Sequence, residues 1–337
     1  MIPFNETFNE TFNATTTTDE VLEGIDQSGK RVVITGASSG LGEESARAMS
    51  AKGASITMAA RNAEKNEAAA SRIREKVPGA DLELRTLDLA ELASVRAFAK
   101  DLLADHDHID LLLNNAGVMV CPYGTTADGF EMQLGTNHIG HFLLTGLLAP
   151  ALIAAPGARV VALSSGAHGI ADIDYDDPMF ERREYNPWDA YGQSKTANAL
   201  FAFELDRRLC NQGVNAFAVH PGMIMTELAR HMTAEVMAQM TERIQDDAGS
   251  DPTESSSEPN APAMTFKSLE AGAATQVWAA TAPELAEHGG AYLGDCQLGI
   301  EGGDMRVRGV EAYARDPESA ARLWKASEGW VGQSFDL

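Results

Sequence analysis

The chain has 337 residues, 44% of them hydrophobic, which is enough to bury one large core. Its 49 acidic residues against 26 basic ones leave a formal net charge of −23. A field of that sign repels nucleic acid and anionic membrane surfaces, so neither is an expected partner. Cys121, Cys210 and Cys296 are odd in number and none pairs in a CxxC spacing. This argues against a disulfide framework or a structural zinc site and for a reducing compartment. No apolar run approaches the ~20 residues that span a bilayer, and no basic-then-apolar leader opens the sequence. The expectation is a cytoplasmic protein without a membrane span.

In chain order, Phe4 to Thr18 reads FNETFNETFNATTTT, a short repeat and a threonine run. Residues 1–29 are expected to form a poorly ordered arm. Its N-x-T triplets at Asn5, Asn9 and Asn13 are taken as coincidental, and its phenylalanines could instead dock on a partner subunit of a dimer or tetramer. From Lys30 to the end the pattern reads as one domain. RVVIT (31–35), SITMAA (55–60), LELRTL (82–87), IDLLLN (109–114), RVVALS (159–164) and VNAFAV (214–219) read as strands. Helical stretches lie between them: from the turn after the first strand to about 52, then 63–76, 94–105, 128–148 and 189–211. Two closing helices are expected at 266–280 and 317–332. Regular alternation of this kind predicts an α/β fold, a single Rossmann-type doubly wound parallel sheet with helices on both faces. Two segments interrupt it, 166–188 and 223–264. Both follow strand ends, where open α/β sheets bind ligands. The second runs from methionines to DDAGSDPTESSSEPNAPA and is expected to act as a mobile lid over the substrate.

The first strand leads into T-G-A-S-S-G-L-G, residues 35–42. Gly36 permits a tight turn; Gly40 and Gly42 permit backbone to approach a pyrophosphate at the N-terminus of the next helix. Ser38, Ser39 and Leu41 belong to the same turn and are placed at the cofactor with it. The second strand ends in Ala60-Arg61 where an NAD enzyme usually carries an acid for the ribose. Arg61 can instead pair with a 2′-phosphate, so NADP(H) is expected over NAD(H). Asp88, at the end of the third strand, suits an adenine amino group or a helix cap. Asn115, Ala116 and Gly117 follow the fourth strand, where small residues let the chain pass close to an adenosine ribose.

Tyr191 and Lys195 are four apart on a predicted helix and so share a face. A phenol ionises near pH 10, and a nearby lysine cation is expected to lower that value and make Tyr191 a usable acid or base. Ser165, after the fifth strand, adds a hydroxyl for a carbonyl oxygen. Asn137, in the long predicted helix, can complete a polar relay to solvent. His138, His141 and His168 invite a metal reading, but no ligand spacing supports one, and packed histidines are expected. Met223, Met225, Met232, Met237 and Met240 fit either an adaptable apolar pocket or ordinary packing.

TGASSGLG, NNAG, Asn137, Ser165, YGQSK and Pro221-Gly222 occur in one order along one sheet. With them, the chain resembles the short-chain dehydrogenase/reductase family from residue 30 to about 300. TNHIGHF (136–142), LSSGAH (163–168) and ARLWKASE (321–328) resemble its retinol-dehydrogenase-like branch. The resemblance implies Tyr191 as catalytic acid/base, Lys195 as its tuner and a ribose ligand, Ser165 as oxygen-stabilising donor and Asn137 as relay. It also implies Leu89, Pro221, Gly222 and Thr226 as further cofactor contacts, and a small-molecule carbonyl or alcohol substrate, bulky and apolar. Two features depart from compact members: 26 positions separate Ser165 from Tyr191, and the insertion 223–264 is long. A binder of NADPH without turnover, or an epimerase or dehydratase, could be built on the same fold. The first would be expected to break the Ser/Tyr/Lys set, which is intact.

Overall fold

The computed structural model describes residue 8, residues 11–233, residue 236 and residues 266–337. Its centre is an eight-stranded sheet. In chain order the strands are β1 (Arg31–Thr35), β2 (Ser55–Ala60), β3 (Leu82–Thr86), β4 (Leu111–Asn114), β5 (Arg159–Leu163), β6 (Asn215–His220), β7 (Tyr292–Gly294) and β8 (Gln297–Leu298). In space they run β3-β2-β1-β4-β5-β6-β7-β8. Every neighbouring pair is parallel except β7 with the short antiparallel β8.

Side chains on a strand alternate between faces, and here both faces are apolar. Val33, Leu112 and Val160 point into one core, with Phe142, Leu205 and Trp324 from the helices on that side. Val32, Ile34, Val161 and Phe217 point into the other, with Met49, Ile73 and Trp278. Burial on both sides explains why the strands read as nearly continuous hydrophobic runs.

The helices are α1 (Thr18–Val21), α2 (Gly40–Ser50), α3 (Ala63–Lys76), α4 (Leu92–Asp105), α5 (Met132–Leu134), α6 (Gly140–Ile153), α7 (Pro187–Leu209), α8 (Leu269–Thr281) and α9 (Pro317–Val331). None is long and apolar enough to cross a membrane among the described residues.

Two expectations need correcting. The arm is not uniformly loose. Thr17 and Glu20 form a reciprocal capping box that starts α1. Val21 and Leu22 then bury their side chains in the second core, Leu22 completely. Phe12 O accepts a bond from Gln297 Nε2 at 3.0 Å, and the Phe8 ring meets Trp278 and His288 edge-on at 6.0 and 4.8 Å. Phe8 and Phe12 thus dock on their own chain; residues 1–7, 9 and 10, with Phe4 and the triplets at Asn5 and Asn9, lie outside the described residues. The helix expected over 128–148 starts later, at Met132, because Glu131 caps it through Gln133 N (2.9 Å) and Leu134 N (2.7 Å). It then passes through a π turn, Gly135–Ile139, before α6. Strands β7 and β8 have no counterpart among the expected strands, since two or three residues carry no usable periodicity. Of the expected lid, residues 223–233 and 236 are described, with a 3₁₀ turn at Glu227–His231; the remainder, with Met237 and Met240, lies outside the described residues.

Candidate active site

The order β3-β2-β1-β4 reverses the direction of winding between β1 and β4, and the crevice at that switch is where open sheets bind nucleotides. The turns that leave β1 and β4 meet there. Gly36 and Gly40 have φ of +67° and +59°, which glycine adopts without penalty. Gly42 is needed for room: a Cβ on it would lie 2.5 Å from Gly36 O and 2.6 Å from Asn115 Nδ2. Ser39 caps α2 without a side-chain bond to it, so the first N–H groups of that helix stay available to an anion. Thr226 lies over the turn, where a Cβ on Gly40 would be 3.6 Å from its Cγ2. Leu41 turns its side chain toward Gly272 of α8.

Thr35 ties this turn to β4. Its Oγ1 accepts from Asn115 N and Ala116 N, each at 3.0 Å, and lies 2.8 Å from His141 Nε2. Asn115 Nδ2 donates to Thr35 O at 2.8 Å, while its Oδ1 is buried without a protein partner. That orphaned acceptor, the bare helix end and the glycine cradle all fit a dinucleotide. Arg61 stands exposed just past β2 and makes no hydrogen bond or ion pair to a described residue, so it is free to meet a phosphate. Asp88 does not cap α4, whose cap is Glu91; its Oδ1 instead accepts from Ala90 N at 2.9 Å. Leu89 is buried beneath α6. Pro221 and Gly222 leave β6, Gly222 with φ of +89° beside the stem of Lys267.

The catalytic candidates come from α7, the π turn and the end of β5. Asn186 caps α7 through Trp188 N (2.9 Å) and Asp189 N (3.2 Å), and Pro187 opens it. Tyr191 and Lys195 follow on one face, each 4% exposed. The Tyr191 phenol lies near the Ser165 side chain, which acts to lower its ionisation. Lys195 Nζ donates to Leu163 O at 2.9 Å and sits 5.6 Å from the centre of the Tyr191 ring. Asn137 occupies the π turn, an insertion that often marks a functional site in a helix. Its side chain is fully engaged: Oδ1 accepts from Val118 N (2.8 Å), and Nδ2 donates to Val118 O and Ser194 Oγ (both 2.9 Å). Asn137 and Lys195 both border Gly117, whose Cβ would lie 3.1 Å from Asn137 Oδ1 and 3.8 Å from Lys195 Nζ.

Charge in this site runs against the expectation. Burial pushes the Tyr191 phenol up to about 12, with the Ser165 side chain opposing it. Burial also pushes Lys195 down to about 7. Desolvation dominates both shifts, and Lys195 Nζ is held by the Leu163 carbonyl.

The histidines are structural. His168 Nε2 accepts from Glu311 N at 3.1 Å, so Nδ1 carries the proton and donates to Ser165 O at 2.6 Å. His220, not anticipated, accepts from Gly166 N at its Nδ1 (3.0 Å). Burial holds His138, His141 and His220 well below the usual imidazole range, at about 3, 4 and 4. Among the described residues no cluster of three or more side chains could hold a metal. Sequence reasoning also missed Val120 and Trp188, which form one buried apolar cluster with Tyr191, flanked by Met119, Ala167, Ile170, Met232 and Val236. The apolar character of 118–120 was the one available signal.

The sequence profile described as short chain dehydrogenase matches residues 30–237. Human retinol dehydrogenase 13 is 40% identical over 306 residues, covering 90% of this chain and 85% of that protein. Human retinol dehydrogenase 12 is 41% identical over 299 residues, covering 89% and 85%. A solved structure from Mycobacterium paratuberculosis superposes with a TM-score of 0.68 at 36% identity, covering 93% of this chain and 97% of that one.

Proposed function

Because the chain belongs to the short chain dehydrogenase family, in its retinol-dehydrogenase-like part, we propose that it interconverts an apolar ketone or aldehyde and the corresponding alcohol with NADP(H). The observation that carries the reading is the Ser165–Tyr191–Lys195 set, with Tyr191 and Lys195 buried, beside an apolar wall and a dinucleotide cradle. The bound nicotinamide would supply a hydride to the carbonyl carbon, or accept one from the alcohol carbon.

The chain's own residues do the rest. The glycine turn and the start of α2 take the pyrophosphate, and Arg61 takes the 2′-phosphate. Ser165 and Tyr191 hold the carbonyl oxygen. At neutral pH Tyr191 keeps its proton, which is the form reduction needs, and passes it to the oxygen as negative charge builds there. Lys195, in its ammonium form, stabilises the phenolate that remains. Asn137 acts by holding the Val118 peptide and Ser194 in place beneath the site. The surrounding cluster excludes water and favours an apolar substrate, in keeping with relatives whose names specify retinol. Three free thiols support a cytoplasmic setting.

Tyr191→Phe tests the reading, since it removes only the ionisable group. With an apolar ketone or aldehyde series, kcat should fall by ~10²–10⁴ while NADPH binding stays within a few-fold. Retention of more than about a tenth of kcat would place the proton donor elsewhere.

A further inference from the structure

Val120 has a φ of +44°. A β-branched residue is rare in that left-handed region because its branched Cβ crowds the adjoining peptide. Such a conformation persists only where the surroundings over-determine it, and that happens most at functional sites.

Here the surroundings grip the chain on both sides of the residue. Val120 N donates to Gln133 Oε1 at 2.8 Å. The same amide is fixed at its other end, with Nε2 donating to Tyr185 Oη and to Pro187 O, both at 2.9 Å. Tyr185 Oη in turn donates to the carbonyl of the next residue, Cys121, at 2.9 Å. Gln133 is completely buried, and its own N–H is held by Glu131, also completely buried. A chain of buried and half-buried polar groups therefore anchors one strained valine to the start of α7. Connecting β4 to α5 would not need a branched residue at that φ. What the clamp does achieve is placement: the Val120 side chain is 1% exposed and packs in the cluster of Trp188 and Tyr191.

We infer that Val120 is a specificity-determining residue, a rigid wall beside the Tyr191 phenol that limits the bulk of the substituent next to the substrate carbonyl. It selects linear aldehydes and ketones carrying one small substituent over ketones branched or arylated on both sides. The inference rests on Tyr191 being the proton donor.

The test measures kcat/KM with NADPH for a linear aldehyde and an α-branched aryl ketone, in wild type, Val120→Ala, Val120→Ile and Tyr191→Phe. One methylene in a pocket changes discrimination by ~10–200-fold. Val120→Ala should therefore raise the ketone-to-aldehyde ratio by about tenfold or more, and Val120→Ile should lower it. Either variant alone decides the sign if the other folds poorly. Val120→Gly adds a readout on the strain: glycine accepts this φ, so it should melt no lower than Val120→Ala, the reverse of the order in an ordinary core. Ratios that stay put while all substrates fall together would make Val120 a packing residue and overturn the inference, with Tyr191→Phe still inactive. An active Tyr191→Phe would overturn the reading beneath it and the wall as well.

Discussion

The glycine turn after β1 and the serine turn after β5 both end a parallel strand and face the same crevice, but they are held by opposite means. The first is built from what is missing. Gly36, Gly40 and Gly42 lack the Cβ atoms that would strain the turn or fill the cradle, and the working groups are backbone N–H. The second is built from what is added. His168 holds Ser165 O from one side, and His220 holds Gly166 N from the other. Tyr313 Oη fixes His168 O at 2.7 Å, and its donor comes from 145 residues away. A phosphate is a large charge that several N–H groups can share, so local backbone suffices. A proton must pass between two particular oxygens, so a side chain has to be held in position from several directions.

The adjacent serines give the sharpest way to break this comparison. Ser165 faces Tyr191, whereas Ser164 turns inward and donates to Lys195 O at 2.8 Å. Ser165→Ala should lower kcat by ~10²–10³, the usual loss for one oxyanion donor, with NADPH affinity unchanged. Ser164→Ala should cost about 1 kcal/mol of stability and little rate, since it loses one ordinary hydrogen bond. Steady-state kinetics and thermal melts on the pair check both. Equal rate losses would mean that the whole turn, not one hydroxyl, carries the chemistry.

The same contrast sorts what was legible in the sequence. The parallel sheet and the glycine turn could be read because strands buried on both faces are apolar throughout and because the turn's chemistry is local. Tyr191 and Lys195 could be placed on one face by their spacing. The grip of His220, the spent side chain of Asn137 and the upward push on Tyr191 could not be read, because each depends on burial or on partners distant in sequence. The arm is a different case: Thr17-x-x-Glu20 is a capping-box pattern that was present in the threonine run and outweighed by its composition. Leu22→Ala sharpens the point. Removing this fully buried side chain should cost about 2–5 kcal/mol in a denaturant titration, with kcat of the folded protein preserved. An unchanged denaturation midpoint would return the arm to the surface.

Titration separates the two residues of α7. In the proposed reduction Tyr191 must carry its proton and Lys195 its charge, the cation stabilising the phenolate that forms. Tyr191 keeps its proton up to about 12, but Lys195 loses its own through about 7. For carbonyl reduction, kcat/KM should therefore be full below that value and fall as pH rises through it, approaching tenfold per unit, because this profile reports the free enzyme. Alcohol oxidation needs the phenolate and should rise with pH instead. Lys195→Met should lose the limb near 7 along with much of the rate. A reduction profile flat from mildly acid to alkaline pH would show that the lysine charge is not used.

The smallest expected effect lies at the backbone-built end, and it decides the cofactor. Arg61 is exposed just before the Asn62 cap of α3, where Asn62 Oδ1 accepts from Lys65 N at 2.8 Å. Lys65 is the other cation in that turn, but its ammonium lies 3.0 Å from Glu227. Arg61 is left as the group able to meet a 2′-phosphate with a planar pair of donors. The contact is partly screened by solvent, so its loss should be modest: Arg61→Ala should raise the KM for NADPH about tenfold and leave that for NADH nearly unchanged. Arg61→Lys should recover only part, since an ammonium offers charge without the fork. Kinetics with both cofactors at two salt concentrations check this, with the NADPH penalty shrinking at high salt. If Arg61→Ala weakens both cofactors equally, the residue shapes the turn rather than reading the phosphate, and the preference for NADP(H) falls with it.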